Sequence, residues 1–215
     1  MAATSATSKF KIVVIPADEE GCRFYLEHYK PFRLASLQRD AHAFGSTYAR
    51  EIAFDDEAWL GRIKNPLATT FVALQRDDDR VVASTALIGP LPSGGPPGNP
   101  YQAVAAGHSD DGRDERAGDE PLRFEMAAVY TCPEARGQGL AKALIARATD
   151  EARSRARARG RHLALAVVVY ADNAAAISVY ERCGFARSPE GPNPVFNTLK
   201  NSSEVQLEMH YRGAV

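Results

Sequence analysis

Hydrophobic and polar positions divide the chain into short alternating stretches and longer stretches of helical period. Lys9–Ile15 predicts a first strand, stopped by Pro16 and the acidic residues Asp18, Glu19 and Glu20. From Cys22 to Phe44 apolar residues return at helical spacing (Phe24, Leu26, Tyr29, Phe32, Leu34, Leu37, Ala41, Phe44), with Gly45 as a stop. Pro31 is placed to break this helix in two, because it lacks the N–H that a helix interior needs. Asp55–Ile63 predicts another short helix, with Asp55 and Asp56 at its positive end and Trp59 as its anchor. Ala68–Gln75 and Arg80–Ile88 then predict two strands around the turn Asp77, Asp78, Asp79.

Gly89–Pro121 interrupts the pattern. Six of the chain's 13 prolines fall there (Pro90, Pro92, Pro96, Pro97, Pro100 and Pro121), with Gly94, Gly95, Gly98 and a mixed-charge stretch from Asp110 to Glu120. Such a segment buries too little apolar surface to offset its ordering entropy, so residues 89–121 are expected to form a mobile insertion within one domain. Beyond it the order is strand, helix, strand, helix, strand. Leu122–Thr131 is the first of these strands, and strict alternation puts Glu125, Ala127 and Val129 on one face and Met126, Ala128 and Tyr130 on the other. Gly139–Arg159 is a helix whose inner face carries Leu140, Ala141, Leu144, Ile145, Ala148 and Ala152. His162–Tyr170 is apolar on both faces, as a central strand is. Asn173–Cys183 is a short helix closed by Gly184, and after an extended link, Arg187–Ser203, the alternation of Val205, Leu207, Met209 and Tyr211 predicts a last strand.

Composition narrows the class. With 215 residues, 45% hydrophobic and 25% charged, the chain has the make-up of one globular domain, expected over residues 9–215 behind a flexible tail at 1–8. A formal net charge of -1 provides no global field for nucleic acid or an anionic membrane, so neither is expected as a partner. The basic run Arg153, Arg155, Arg157, Arg159 and Arg161 has no interleaved aromatics and spreads round its helix, as a solvated helix end does. No stretch approaches the roughly 18 apolar residues of a membrane span. Cys22, Cys132 and Cys183 form no C-x-x-C pair, and His28, His42, His108, His162 and His210 lack ligand spacing, so no metal is expected and a reducing cytoplasm is.

The most specific local signal is Pro133-Glu134-Ala135-Arg136-Gly137-Gln138-Gly139-Leu140-Ala141, between a predicted strand and a predicted helix. Glycines there let the backbone turn tightly and aim successive N–H groups outward, and the helix end adds about half a positive charge, which makes an anion cradle. A P-loop needs G-x-x-x-x-G-K-[ST], but Lys142 has no adjoining Ser or Thr to bind a metal. A dinucleotide fingerprint would place its third glycine at Lys142, late in the chain and without an opening βαβ unit.

The run Arg136-Gly137-Gln138-Gly139-Leu140-Ala141 resembles the R/Q-x-x-G-x-G/A loop of the GCN5-related N-acetyltransferase (GNAT) family, and Pro133-Glu134 sit where that motif has its P-E. A second block, Asn173-Ala174-Ala175-Ala176-Ile177-Ser178-Val179-Tyr180-Glu181-Arg182-Cys183-Gly184-Phe185, is similar to N-x-x-A-x-x-x-Y-x-x-x-G-F. The region Ala43-Phe44-Gly45-Ser46-Thr47, with Glu51 after it, resembles a recurrent helix-to-helix connection of small family members. The resemblance implies an α+β fold of α/β/α layers: a mixed, mostly antiparallel central sheet with a splayed parallel strand pair, flanked by helices. It also implies acetyl-CoA as cosubstrate, no metal, and an amine acceptor.

What the resemblance implies for single residues follows from the same blocks. The pyrophosphate of acetyl-CoA would lie on Arg136, Gly137, Gln138, Gly139, Leu140, Ala141 and Lys142, and the pantetheine arm on the backbone of Val129, Tyr130 and Thr131 and on Asn173. Asn173 is equally suited to cap its helix. A protonated amine cannot attack a thioester, so something must take its proton, and the leaving thiolate gains from an acid. Glu125, eight residues before Pro133, is the implied base, its other reading being a solvated strand-end carboxylate, with Glu51 or His108 as remote alternatives through water. Tyr180 is the implied acid, and its other reading is a tyrosine packed in its helix interface. The resulting expectation is an N-acetyltransferase acting by direct attack in a ternary complex, small amines favoured, as monomer or homodimer. Protein lysine or N-terminal acetylation, or a coenzyme A sensor that catalyses nothing, remain open. The insertion and the link before the last strand lie where the family builds acceptor sites.

Overall fold

The computed structural model describes residues 9–92 and 120–213. Eight strands form one sheet: β1 (Phe10–Val14), β2 (Ala68–Gln75), β3 (Val81–Leu91), β4 (Leu122–Thr131), β5 (Leu163–Tyr170), β6 (Phe185–Arg187), β7 (Asn193–Asn197) and β8 (Ser202–Tyr211). They run in the order β1-β2-β3-β4-β5-β8-β6, with β7 also on β8, and every pairing is antiparallel except β4 with β5. This is the mixed sheet with one parallel pair that the sequence led us to expect.

Among the described residues six α-helices flank the sheet: α1 (Glu19–Phe24), α2 (Lys30–Arg39), α3 (Tyr48–Ile52), α4 (Asp56–Ile63), α5 (Leu140–Ala158) and α6 (Ala174–Arg182). The inner stripe of α5 (Leu144, Ile145, Ala148, Ala152) packs with Phe71, Phe124, Met126, Val167, Leu207 and Met209 on one face. On the other face α2 and α4 bring Phe32, Leu37, Trp59 and Ile63 onto Val72, Leu74, Val81 and Tyr130. The interior of this second layer holds an ion network: Glu51 of α3, 1% exposed, accepts from Arg33 at 2.9 and 3.1 Å and from Arg62 at 3.1 Å.

Four expectations change. Pro31 does not break the first helix: a π turn over Tyr25–Tyr29 joins α1 to α2, and Pro31 follows directly, where the widened turn relieves its missing N–H and the clash of its ring. The helix reaches Arg39 rather than Phe44, and Ala41–Ala43 form a 3-10 turn. The link Arg187–Ser203 is not simply extended, because β7 inside it pairs with β8 as a hairpin. Strand β3 continues past Ile88 to Leu91. The rest of the expected insertion, residues 93–119, and the expected tail at 1–8 lie outside the described residues.

Candidate active site

Strands β4 and β5 run together for five rungs, Leu122 with Leu163 through Met126 with Val167, and then part. From Ala127 to Thr131 the β5 side of β4 pairs with no other strand of the described residues, while β5 continues on β8 to Tyr170. At the same level β4 carries a bulge: three steps from Ala127 to Tyr130 oppose two steps from Ala86 to Ser84 on β3. Ala128 takes φ 53°, the left-handed region that alanine seldom occupies. Two side chains of β3 hold it, Ser84 donating to the Ala128 carbonyl at 3.3 Å and Thr85 to the Ala127 carbonyl at 3.2 Å.

The extra residue corrects the expected faces of β4. Phe124 and Met126 pack under α5, yet Tyr130 lies in the opposite layer against Phe32 and Phe44, and Val129 packs with the α5 side. Met126 and Tyr130 therefore do not share a face, and neither do Glu125 and Val129. A bulge shifts the two-residue period by one, so every side chain beyond it changes side. Nothing in the letters Met-Ala-Ala-Val signals this.

Past β4 the chain makes a 3-10 turn at Pro133–Ala135 and enters the glycine loop. Gly137 and Gly139 have φ 76° and 77°, which explains glycine at both positions; a Cβ at either would meet nothing within 4 Å. Gly139 caps α5 without any side-chain hydrogen bond, and the first bond into the helix is Ala143 N–H to the Gly139 carbonyl at 3.0 Å. The amides of Leu140, Ala141 and Lys142 therefore point out of a 19-residue helix with no acceptor among the described residues, a ready site for an anionic group. Arg136 is held beside them: it donates to Asp40 at 2.7 Å and to the Thr131 carbonyl at 3.1 Å, and Tyr130 donates to the same Asp40 at 2.7 Å. Burial alone would raise the Asp40 carboxyl, but the Tyr130 hydrogen bond and the Arg136 charge hold it low. Gln138 and Lys142 are exposed.

The sequence profile of the acetyltransferase (GNAT) family matches residues 27–185. The chain belongs to this family. No curated protein matches it in sequence. Solved structures do match its fold. A ribosomal-protein-alanine N-acetyltransferase from Brucella melitensis is 21% identical, with TM-score 0.55 over 92% of this chain and 98% of its own. Arabidopsis thaliana NAA60, in complex with a bisubstrate analogue, is 15% identical, with TM-score 0.60 over 94% and 97%. Salmonella typhimurium yncA, with its cofactor acetyl-CoA, is 17% identical, with TM-score 0.57 over 93% and 92%. As a GNAT protein the chain is an acyltransferase.

In this GNAT protein Glu125 sits on the rung before the last that β4 shares with β5, opposite Ala166. Burial, then the nearby Glu208 carboxylate, pushes the Glu125 carboxyl up to about 7. Glu208 itself has His210 at 3.9 Å. Tyr180 is 5% exposed, in edge contact with Phe185 at 5.7 Å between ring centroids, and its hydroxyl finds no hydrogen-bond partner among the described residues. Burial, with the neighbouring Cys183, raises its pKa well above the ordinary value. Asn173 accepts from Ala176 N–H at 3.1 Å, so its oxygen caps α6. The Thr131 hydroxyl, at the end of the unpaired edge, is buried without a partner among the described residues.

Glu51 does not suit the remote-base role. Burial would raise its carboxyl, yet the hydrogen bonds and charge of Arg33, then the charge of Arg62, bring it down to about 2. His108 lies outside the described residues. Cys132 is partly buried and its thiol is raised, first by burial and then by Glu134, which disfavours the reactive thiolate. No group of three metal-ligating side chains occurs among the described residues, and none of their helices is long and apolar enough to cross a membrane.

Proposed function

We propose that the chain is an acetyl-CoA-dependent N-acetyltransferase that acetylates a primary amine of a small molecule by direct attack in a ternary complex. The reading rests on one juxtaposition: the parting of β4 from β5, with Glu125 just before it and the uncapped start of α5 just after it. The residues fit the cosubstrate, because the outward amides of Leu140, Ala141 and Lys142 suit a pyrophosphate, and the free edge from Val129 to Thr131 suits the amide groups of a pantetheine arm. In this reading the backbone of Gly137, Gln138 and Gly139 completes the cradle. Asn173 borders the arm while it caps α6. Acetyl-CoA supplies an activated thioester; the chain's own groups position it and move protons.

Glu125, titrating near 7, takes the proton of the attacking amine at neutral pH, where half of it is ionised and its strength as a base is still useful. Tyr180, raised by burial, keeps its proton until charge builds on the leaving sulfur and then hydrogen-bonds or protonates it. One domain over residues 9–215, a cytoplasmic location in keeping with three free cysteines, and no requirement for a metal complete the proposal.

The test has two steps. Thermal denaturation with acetyl-CoA should raise Tm, since binding at a hundredfold excess over Kd adds about 2.7 kcal/mol. Free-thiol release is then followed with a set of primary amines. No Tm shift would sink the cofactor assignment, and a shift without turnover of any amine would leave a coenzyme A sensor in its place.

A further inference from the structure

On the proposed reading, an acceptor approaches the parted strands from the sheet face opposite α5. Glu125 lies on that face, and along β5 so do Ala166, Val168 and Tyr170, Val168 being exposed. The groove has two walls. On the β4 side stands the connection between α2 and α3, whose Phe44 packs on Tyr130 at 5.4 Å. On the β5 side stands the β7–β8 hairpin.

The walls are joined. Asn197, the last residue of β7, donates to the Gly45 carbonyl at 3.0 Å, and Tyr170, the last residue of β5, donates to the Phe44 carbonyl at 3.3 Å. Asn197 also donates to Glu204 at 3.1 Å, which is held from its other side by Lys200 at 3.0 Å, with the Lys200 ammonium 5.0 Å from the centre of the Tyr170 ring. Glu204 is below its ordinary pKa, burial being outweighed by the Tyr170 hydroxyl, Asn197 and Lys200 around it, so the brace is charged at neutral pH. Lys200 also lines a 340 Å³ cavity with Leu37, Ala41, Thr47 and Tyr48, beside the same connection.

The geometry points to Asn197 and Tyr170 as the residues that set the width of the acceptor site, closing the groove at the end where β4 and β5 part. The inference rests on the transferase reading above and names its substrate class. An extended polypeptide needs about 10 Å between the faces it lies against. Two walls linked by direct hydrogen bonds leave no such passage, so an acceptor cannot lie along the groove and leave at both ends. It enters end-on, as a slim chain with the amine at its tip. The acceptor is a small linear amine, and a lysine in the middle of a peptide is a poor one.

Thiol release with acetyl-CoA is measured for a linear alkylamine and for an end-blocked peptide with one central lysine. The unaltered protein should favour the alkylamine at least tenfold in kcat/KM. Asn197→Ala combined with Tyr170→Phe should raise kcat/KM for the peptide about tenfold relative to that for the alkylamine. The inference is overturned if the unaltered protein uses the peptide as well as the alkylamine, a comparison that needs no variant, or if the double variant folds and leaves the ratio unchanged. If acetyl-CoA binds and neither acceptor reacts, the transferase reading fails and this inference falls with it. If only the peptide reacts, the transferase reading stands and the width assignment alone is wrong.

Discussion

On the proposed reading, Glu125 is the residue on which activity and stability pull in opposite directions. Its carboxyl is raised from 4.5 to about 7, a difference worth about 3 kcal/mol. The folded state holds this proton more tightly than the unfolded chain, so the favourable contribution is whole below pH 4.5, fades as pH rises toward 7, and is gone above it. Glu125→Gln should therefore unfold with unchanged stability at pH 4 and with up to about 3 kcal/mol more at pH 8, read from urea denaturation at the two pH values. The same variant should lose on the order of 100-fold in kcat/KM and lose the rise of activity with pH centred near 7. Equal stability gains at both pH values would show that the carboxyl is not held protonated. Tyr180 makes a separate case, since in the proposed reaction its hydroxyl matters only when charge reaches the sulfur. Tyr180→Phe should cut kcat by roughly 10 to 1000-fold with little change in KM for acetyl-CoA, and an unchanged kcat would reduce Tyr180 to its packing against Phe185.

At the level of elements, the glycine loop and the buried ion network each anchor one prediction. Gly139 needs φ 77° and precedes three outward amides, so Gly139→Asp brings both backbone strain and a negative charge to the cradle. It should abolish the Tm shift given by acetyl-CoA while circular dichroism at room temperature stays native. Glu51, held at about 2, contributes in the opposite sense to Glu125: its stability is whole above pH 4.5 and is lost as pH falls from there toward 2. Glu51→Gln should destabilise at pH 7 by about 3 kcal/mol, since it leaves Arg33 and Arg62 facing a neutral amide, and much less at pH 2. These elements also mark how far the sequence could be read. The loop was legible because glycine spacing next to a helix start is a local signal, and the α5 stripe because a 19-residue helix repeats its period five times. The β4 bulge was not: an alanine at positive φ is selected by the Ser84 and Thr85 hydroxyls across the sheet, and Pro31 is tolerated by a π turn its neighbours do not announce. The Asn197–Gly45 bond joins positions far apart in the chain, and Asn197 carries no motif.

For the molecule as a whole, the sheet is assembled so that the segment between β3 and β4 can vary without disturbing the cofactor side. Leu91 and Arg123 are direct antiparallel partners, which brings their Cα atoms to roughly 5 Å of each other. Residues 92 and 120–122 alone therefore come close to closing a hairpin. The glycine loop, α5 and α6 all follow this point in the chain, and α5 packs across β2, β3, β4 and β5. Replacing residues 93–119 by a Gly-Ser dipeptide should give a folded protein with the acetyl-CoA-dependent Tm shift intact. Its stability should be equal or slightly higher, because each halving of a flexible loop lowers the closure cost by roughly 0.6 kcal/mol. Acetylation rates carry the second half of the prediction. If residues 93–119 help to hold the acceptor, KM for the amine rises while the Tm shift stays; if they do not, both are unchanged. A shortened chain that fails to fold, or folds without responding to acetyl-CoA, would instead make this segment part of the core architecture, against the single-domain reading in which it is an insertion.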